Sequence, residues 1–459
     1  MNGFIGSWTA DMRQWSRSMK RNTGTILILF CMAALMLLSG CMSVTAEELY
    51  RLPEISENNR QLQSTINAVL NSGAEFLAPT AGANRQSVQL QDLDGDGVAE
   101  ALAFFSFPED RPLRMYILKR QGGAYETAAV IEGEGTAFER VIYTDMDGDG
   151  ISELIVGWKM GTSLQLMTVY SVKDLKPTAL HSMNYNTVSV CDMNSDGCDD
   201  IVVFRMAGAD SSSEAECISL AGDGEIVSST ALISEGIESI SRTTFGTVED
   251  HVPALFVDSV YGGNGLVTDV IVWDQGLENI TMGSSSPASL RTVRDYNVFC
   301  SDINGDGVVE VPMPRTLWSQ SETVYRVLDW MAFDSVGRDR LVMTTYHSYS
   351  DGWYLILPED WGDSITVRRA DSGAGERTLM FSYYAGTGEP VDFLRIYTIS
   401  GENRDERAKL AGRFILKYSG DTIYAAAITS EAEELPLSIS QEEISAGFHI
   451  IYSDWKTGS

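Results

Sequence analysis

The sequence predicts a mainly β fold: a β-propeller of four-stranded blades with acidic loops, followed by a small C-terminal α+β domain. Three observations carry this reading. An acidic string occurs four times, as DLDGDGVAE (92–100), DMDGDGISE (145–153), DMNSDGCDD (192–200) and DINGDGVVE (302–310). Short strand-like runs flank each copy. The copies recur at about 50-residue spacing, the length that four short strands and their turns require.

Taken in order, residues 1–40 read as an export signal. Lys20 and Arg21 precede the apolar run ILILFCMAALMLL (26–38), which has signal-peptide length and is short for a membrane span. Leu38-Ser39-Gly40-Cys41 resembles the lipobox of bacterial lipoproteins. That resemblance implies a lipid on Cys41, contact with a membrane through that lipid, and a place in the bacterial cell envelope on the extracytoplasmic side. Residues 41–79 read as a tether and a short helix. Leu62, Ile66, Val69 and Leu70 share one helical face over 57–72, and Gly73 is the stop.

Residues 80–345 hold the repeat. The first aspartates stand at 92, 145, 192 and 302, so the intervals are 53, 47 and 110, the last being two periods. The period therefore demands a fifth copy near 246. FGTVEDHVPALFVD (245–258) lies there, with the strand ALFV kept and the acidic positions lost. SVQLQ (87–91), RVIYT (140–144), TVSVC (187–191) and YNVFC (296–300) precede the four intact copies as expected strands. ALAFF, LIVGW and IVVF follow the first three.

Within each copy, carboxylates or amides fall at positions 1, 3, 5 and 9. They are Asp92, Asp94, Asp96 and Glu100; Asp145, Asp147, Asp149 and Glu153; Asp192, Asn194, Asp196 and Asp200; Asp302, Asn304, Asp306 and Glu310. Position 6 is always glycine, which permits a sharp reversal with positive φ. Position 7, which is Val98, Ile151, Cys198 or Val308, offers a backbone carbonyl. This number of hard oxygen donors suits Ca²⁺, and four loops give up to four structural ions. Without a cation the carboxylates would raise one another's pKa. An EF-hand would need a bidentate Glu at position 12, where Ala103, Val156, Val203 and Met313 stand in strand-like runs. A metal-free acidic turn is the competing reading, and four copies of one ligand pattern argue against it.

The pattern DxDxDGxx[DE] before a buried strand, at this spacing, resembles the FG-GAP/VCBS repeat family. The resemblance covers about residues 80–345 and implies a propeller whose calcium loops lie between outer-surface strands, as in integrin α heads. The Phe-Gly and Gly-Ala-Pro signatures of that family are poorly kept.

From 346 to 459 the acidic repeat stops. WYLILPEDW, SITVRR, TLMFSYY, FLRIYTI, GRFILKYS and TIYAAAI read as strands, and GENRDERAKLA (401–411) as a helix. Ser440 and Glu443 form a capping-box pattern ahead of Ile444, Phe448, Ile451 and Trp455 at helical spacing. A separate domain is expected; the rival reading, two further irregular blades, fits the remaining length.

A net charge of −31 and a pI near 4.4 argue against nucleic acid as a partner. Cys191, Cys198, Cys217 and Cys300 are expected to be free thiols. No nucleophile, phosphate or dinucleotide motif occurs, and His181, His251, His347 and His449 have no ligand spacing. Trp353 and Trp361 are candidates for stacking on a sugar, with the core as the competing place for them. The expected function is a binding or structural module for a surface protein or glycan. The alternative is a glycan-active hydrolase or lyase that uses the propeller as scaffold.

Overall fold

The computed structural model describes residues 57–451, apart from 109–111, 163, 209–210, 223, 372, 374, 411 and 438. The segment expected to be a signal peptide, Cys41 of the expected lipobox, and Trp455 lie outside the described residues. Among the described residues no helix is long and apolar enough to cross a membrane.

The helix expected at 57–72 spans Glu57–Asn71. Gly73 ends it at φ +98°, and the amides of Ser72 and Gly73 donate to the carbonyls of Val69 and Leu70. The described residues from Thr65 onward form one compact unit.

Six antiparallel sheets follow one another along the described chain. The first contains Val88–Gln91, Glu100–Ser106, Leu113–Gln121 and Ala124–Gly133, with Glu75–Phe76 also pairing Glu100–Ser106. The second is Ala137–Thr144, Glu153–Lys159, Gln165–Ser171 and Thr178–Tyr185. The third is Thr187–Cys191, Asp200–Arg205, Glu214–Leu220 and Ile226–Leu232. The fourth, Ile237–Thr247, Pro253–Tyr261, Gly265–Trp273 and Leu277–Asn279, contains the copy that lost its acids.

The fifth sheet joins Val311–Thr316, Arg326–Phe333, Asp339–Ser348, Trp353–Leu357 and Phe448–Ile450. The sixth joins Ile365–Arg369, Glu376–Tyr383, Val391–Ser400, Thr422–Ile428 and Phe414–Ser419. The boundary expected at 345/346 falls inside the strand Asp339–Ser348. The strand Phe448–Ile450 returns from the chain's end to the fifth sheet.

Each sheet packs its faces on its sequence neighbours. Leu154 and Val156 meet Leu102, Phe104 and Met115 of the first sheet, while Ile155 meets Val203 and Ile218 of the third. Val202 and Phe204 meet Leu255 and Ile271 of the fourth. Phe256 and Val270 cluster with Val309 and with Val311 of the fifth, and Leu355 joins Phe381 of the sixth. This explains why the strands after the acidic strings are apolar without alternation: both faces are covered. Each fully buried Leu, Val or Ile adds roughly 1.5–3 kcal/mol.

Two local expectations fail. YNVFC (296–300) forms no strand; the copy closes instead through an isolated bridge between Ser301 and Glu310. The helical spacing of Ile444, Phe448 and Ile451 does not survive either. The amide of Glu443 donates to Ser440 Oγ at 3.1 Å, so the cap forms, but the helix covers only Gln441–Gly447. A Cβ on Gly447 would lie 3.0 Å from the Ile356 carbonyl. From Phe448 the chain pairs as a strand with Trp353–Leu357. Trp353 and Trp361 are fully buried and belong to the core.

Candidate metal centre

The four acidic strings form turns of one design. At position 1, one carboxylate oxygen accepts from the position-6 amide: Asp92 from Gly97 at 2.9 Å, Asp145 from Gly150 at 2.9 Å, Asp192 from Gly197 at 3.0 Å and Asp302 from Gly307 at 2.9 Å. At position 5, Oδ1 accepts from the position-7 amide, at 2.8 Å for Asp96, Asp149 and Asp306 and 2.9 Å for Asp196. The amides of Val98, Ile151, Cys198 and Val308 are thus spent inside the turn. Position 6 has φ between +82° and +90° in all four copies (Gly97, Gly150, Gly197, Gly307), as the glycine pattern predicted.

Position 9 begins the buried strand and ties the loop to it. Glu100, Glu153 and Glu310 each accept the position-2 amide through Oε2 at 3.0, 3.0 and 3.1 Å, and Asp200 accepts it at 2.8 Å. All four are almost completely buried. Burial pushes Glu153 and Glu310 up to about 7, with the neighbouring aspartates adding to the rise. Glu100 and Asp200 move the same way for the same first cause. Position 12 lies in the strand in every copy, as expected of a loop that is no EF-hand.

The copies differ in what faces their acidic side chains. Lys119 Nζ contacts Asp94, lies 2.8 Å from Asp96 Oδ2 and 3.9 Å from Glu100 Oε1. Lys173 Nζ lies 3.1 Å from Asp147 and 2.8 Å from Asp149. These hydrogen bonds raise both lysines and lower Asp96 and Asp149. In the third copy no lysine enters these bonds. Ser219 Oγ donates to Asp200 Oδ1 at 2.5 Å, and Asn194 Nδ2 lies 3.4 Å from the same oxygen. In the fourth, Asn304 Nδ2 donates to Asp306 at 2.8 Å, and Glu310 Oε1 is buried without a hydrogen-bond partner. Glu100 Oε1 is likewise buried with no hydrogen bond.

Carboxylate oxygens of Asp92, Asp94 and Asp96 lie within 4.8 Å of one another, as do those of Asp145, Asp147 and Glu153. The third and fourth turns carry Asn194 and Asn304 at position 3 and so present fewer charges.

The turns also touch each other. A Cβ on Gly95 would sit 3.4 Å from Ile151, and one on Gly148 would sit 3.0 Å from Cys198 Sγ. The Asp199 amide donates to the Asp145 carbonyl at 3.2 Å. The fourth turn docks on the eroded copy, where Thr247 Oγ1 donates to the Gly307 carbonyl at 2.8 Å.

Sequence reasoning missed Lys119, Lys173 and Ser219. Strand register would have found two of them. Continuing the pair Ala101/Leu118 by one residue sets Lys119 opposite Glu100, and Ile201/Ile218 sets Ser219 opposite Asp200. The four cysteines among the described residues are free; three are buried and Cys198 is partly exposed.

No protein-family model matches the sequence, the FG-GAP/VCBS repeat included, and no curated protein matches it. Among solved structures the chain is similar to a protein from Lactobacillus plantarum, at 10% identity, over 69% of this chain and 85% of that one, with a TM-score of 0.28. It is also similar to an exotype rhamnogalacturonan lyase, at 13% identity, over 68% of this chain and 61% of the lyase, with a TM-score of 0.25.

Proposed function

We propose that the chain is a calcium-stabilised β-propeller, held by a lipid on Cys41 at the outer side of a bacterial membrane, where it serves as a binding module for a surface protein or glycan. The observation that carries the metal reading is Glu310: a fully buried carboxylate with one oxygen on a backbone amide and the other without a hydrogen-bond partner. An uncompensated buried carboxylate is costly, and proteins keep such groups paired or bound to metal. Every side-chain donor at the position is oxygen, as Ca²⁺ prefers. Asp302, Asn304, Asp306, the Val308 carbonyl and Glu310 would hold the ion, and the equivalent residues of the other three turns would hold theirs. When bound, the ion supplies the positive charge that these side chains face.

The lysines grade the four turns. Lys119 and Lys173 already provide a positive group to the first and second, so calcium must displace an ammonium there. The third and fourth turns bind first in this reading. Five face-to-face interfaces in chain order support a propeller, with the six sheets as its blades and Ile365–Ile428 as the last.

Titrating the chelator-treated full-length chain with Ca²⁺ by calorimetry, alongside thermal melts, tests the reading. Saturable binding with a melting point raised by several degrees is expected, since a ligand that binds only the native state stabilises it by mass action. Absence of both bound calcium and a shift in melting point would end the proposal.

A further inference from the structure

We propose that the cleft between the fifth and sixth sheets is a binding site for a neutral saccharide. This gives the binding module its ligand class, and it rests on that reading for its exposure to surface glycans. The cleft encloses about 660 Å³, within the roughly 300–1,000 Å³ of small-molecule sites.

One wall is aromatic. Trp318 is 42% exposed, and its indole stacks on the Tyr384 ring at 3.9 Å with planes 13° apart. Thr366 Oγ1 donates to the Trp318 carbonyl at 2.5 Å. The indole is therefore held as a platform while much of it remains open to solvent. Several of the other lining groups are polar, and these fix one another. Arg368 donates to Asp392 Oδ2 at 2.7 Å, Ser382 donates to Asp392 Oδ1 at 2.7 Å, and Gln320 donates to Glu389 at 2.9 Å.

The balance of charge selects the ligand. Arg368 and Arg395 stand against Glu389, Asp392 and Glu431, which leaves no positive excess to hold a phosphate or a polyanion. An apolar ligand would strand those charged groups without water. A pyranose has a C–H face that suits the negative face of an aromatic ring, and hydroxyls that pair with carboxylate, amide and guanidinium groups. Side chains already ordered lose little further freedom on binding. Trp353 and Trp361, for which the core and sugar stacking were the competing readings, lie in the core; Trp318, in the loop after Val311–Thr316, is the exposed tryptophan of the cleft.

The test applies the fluorescently labelled full-length chain, in detergent, to a printed array of neutral and acidic oligosaccharides. Trp318→Ala, Trp318→Phe and Arg368→Ala are run beside it, each with a thermal melt. Retention on neutral glycans is expected. It should fall about tenfold or more in Trp318→Ala, while Trp318→Phe, which keeps an aromatic plane, retains most of it. No retention of any neutral glycan overturns the inference. So does equal retention by Trp318→Ala, or binding confined to acidic glycans. A calcium-dependent melt beside a blank array would remove the saccharide inference and leave the metal reading in place.

Discussion

Arg294 donates to Asp258 at 2.8 Å, and both side chains are completely shielded from water. Asp258 stands in the fourth sheet, the one whose acidic turn has eroded, and Arg294 joins that sheet through an isolated bridge to Leu266. Arg294 also donates to the carbonyls of Thr292 and Val298, and the Cys300 amide donates to Asp258 Oδ2 at 2.9 Å. Two of the backbone groups that YNVFC would offer a neighbouring strand, the Val298 carbonyl and the Cys300 amide, are taken by these two side chains. That is why this segment is ordered without being a strand.

Breaking the pair from one side strands a buried charge. Asp258→Ala should cost about 3–5 kcal/mol of stability, read from urea unfolding. Asp258→Leu combined with Arg294→Met should recover much of it, since a buried pair is worth little beyond apolar side chains of its volume. A single variant with unchanged unfolding would show that the network is dispensable.

Lys119→Gln and Lys173→Gln test the ammonium in the first two turns. Each variant should bind one more calcium ion than the parent, or bind it about tenfold more tightly, in titration calorimetry. In chelator each should melt lower than the parent, because the aspartates lose their counter-charge. If the double variant binds calcium as the parent does, the lysines have no part in cation occupancy.

The turns were legible in the sequence because their logic is local. Asp at position 1, Gly at position 6 and the carboxylate at position 9 meet within nine residues, and the eroded copy followed from the period alone. Lys119 was not legible, because it reaches Asp94 across a strand pairing that spacing within the motif does not encode. The five strands of the sixth sheet were legible as runs, but their packing onto the fifth sheet was not, for a related reason. Those strands carry no acidic turn, so nothing periodic marks them as a continuation of the stack. Phe448 shows the limit of pattern: apolar residues at helical spacing cannot reveal that Gly447 must pass close to Ile356.

Position 9 should make the calcium effect depend on pH. Glu153 and Glu310 rise to about 7 in the folded chain, against about 4.5 when unfolded. A raised carboxyl contributes stability below its unfolded value and loses that contribution as pH climbs through the folded one. In chelator, then, these two groups should favour a higher melting point as pH falls from about 8 to about 6. Calcium needs both deprotonated, so its stabilisation should shrink over the same interval. Glu310→Gln should flatten part of the chelator dependence and raise stability there at about pH 8 by roughly 1–3 kcal/mol. Melts across this range, with and without calcium, decide it; a calcium shift that is constant with pH would contradict the assignment of Glu153 and Glu310.

Position 4 offers a test of backbone strain. Gly95, Gly148 and Gly305 have φ of +71°, +73° and +78°, and in the third turn Ser195 adopts +62°. A residue with a Cβ pays about 1–2 kcal/mol in this region. Glycine there relieves that strain but frees the unfolded chain by roughly 0.4–1 kcal/mol. Ser195→Gly should therefore stabilise the fold by about 0.5–1 kcal/mol. Because the relief belongs to the backbone, the gain should be the same in calcium and in chelator. A gain seen only with calcium would mean instead that Ser195 disturbs the ligand geometry of the third turn, and that the strain at position 4 is paid in metal affinity rather than in folding.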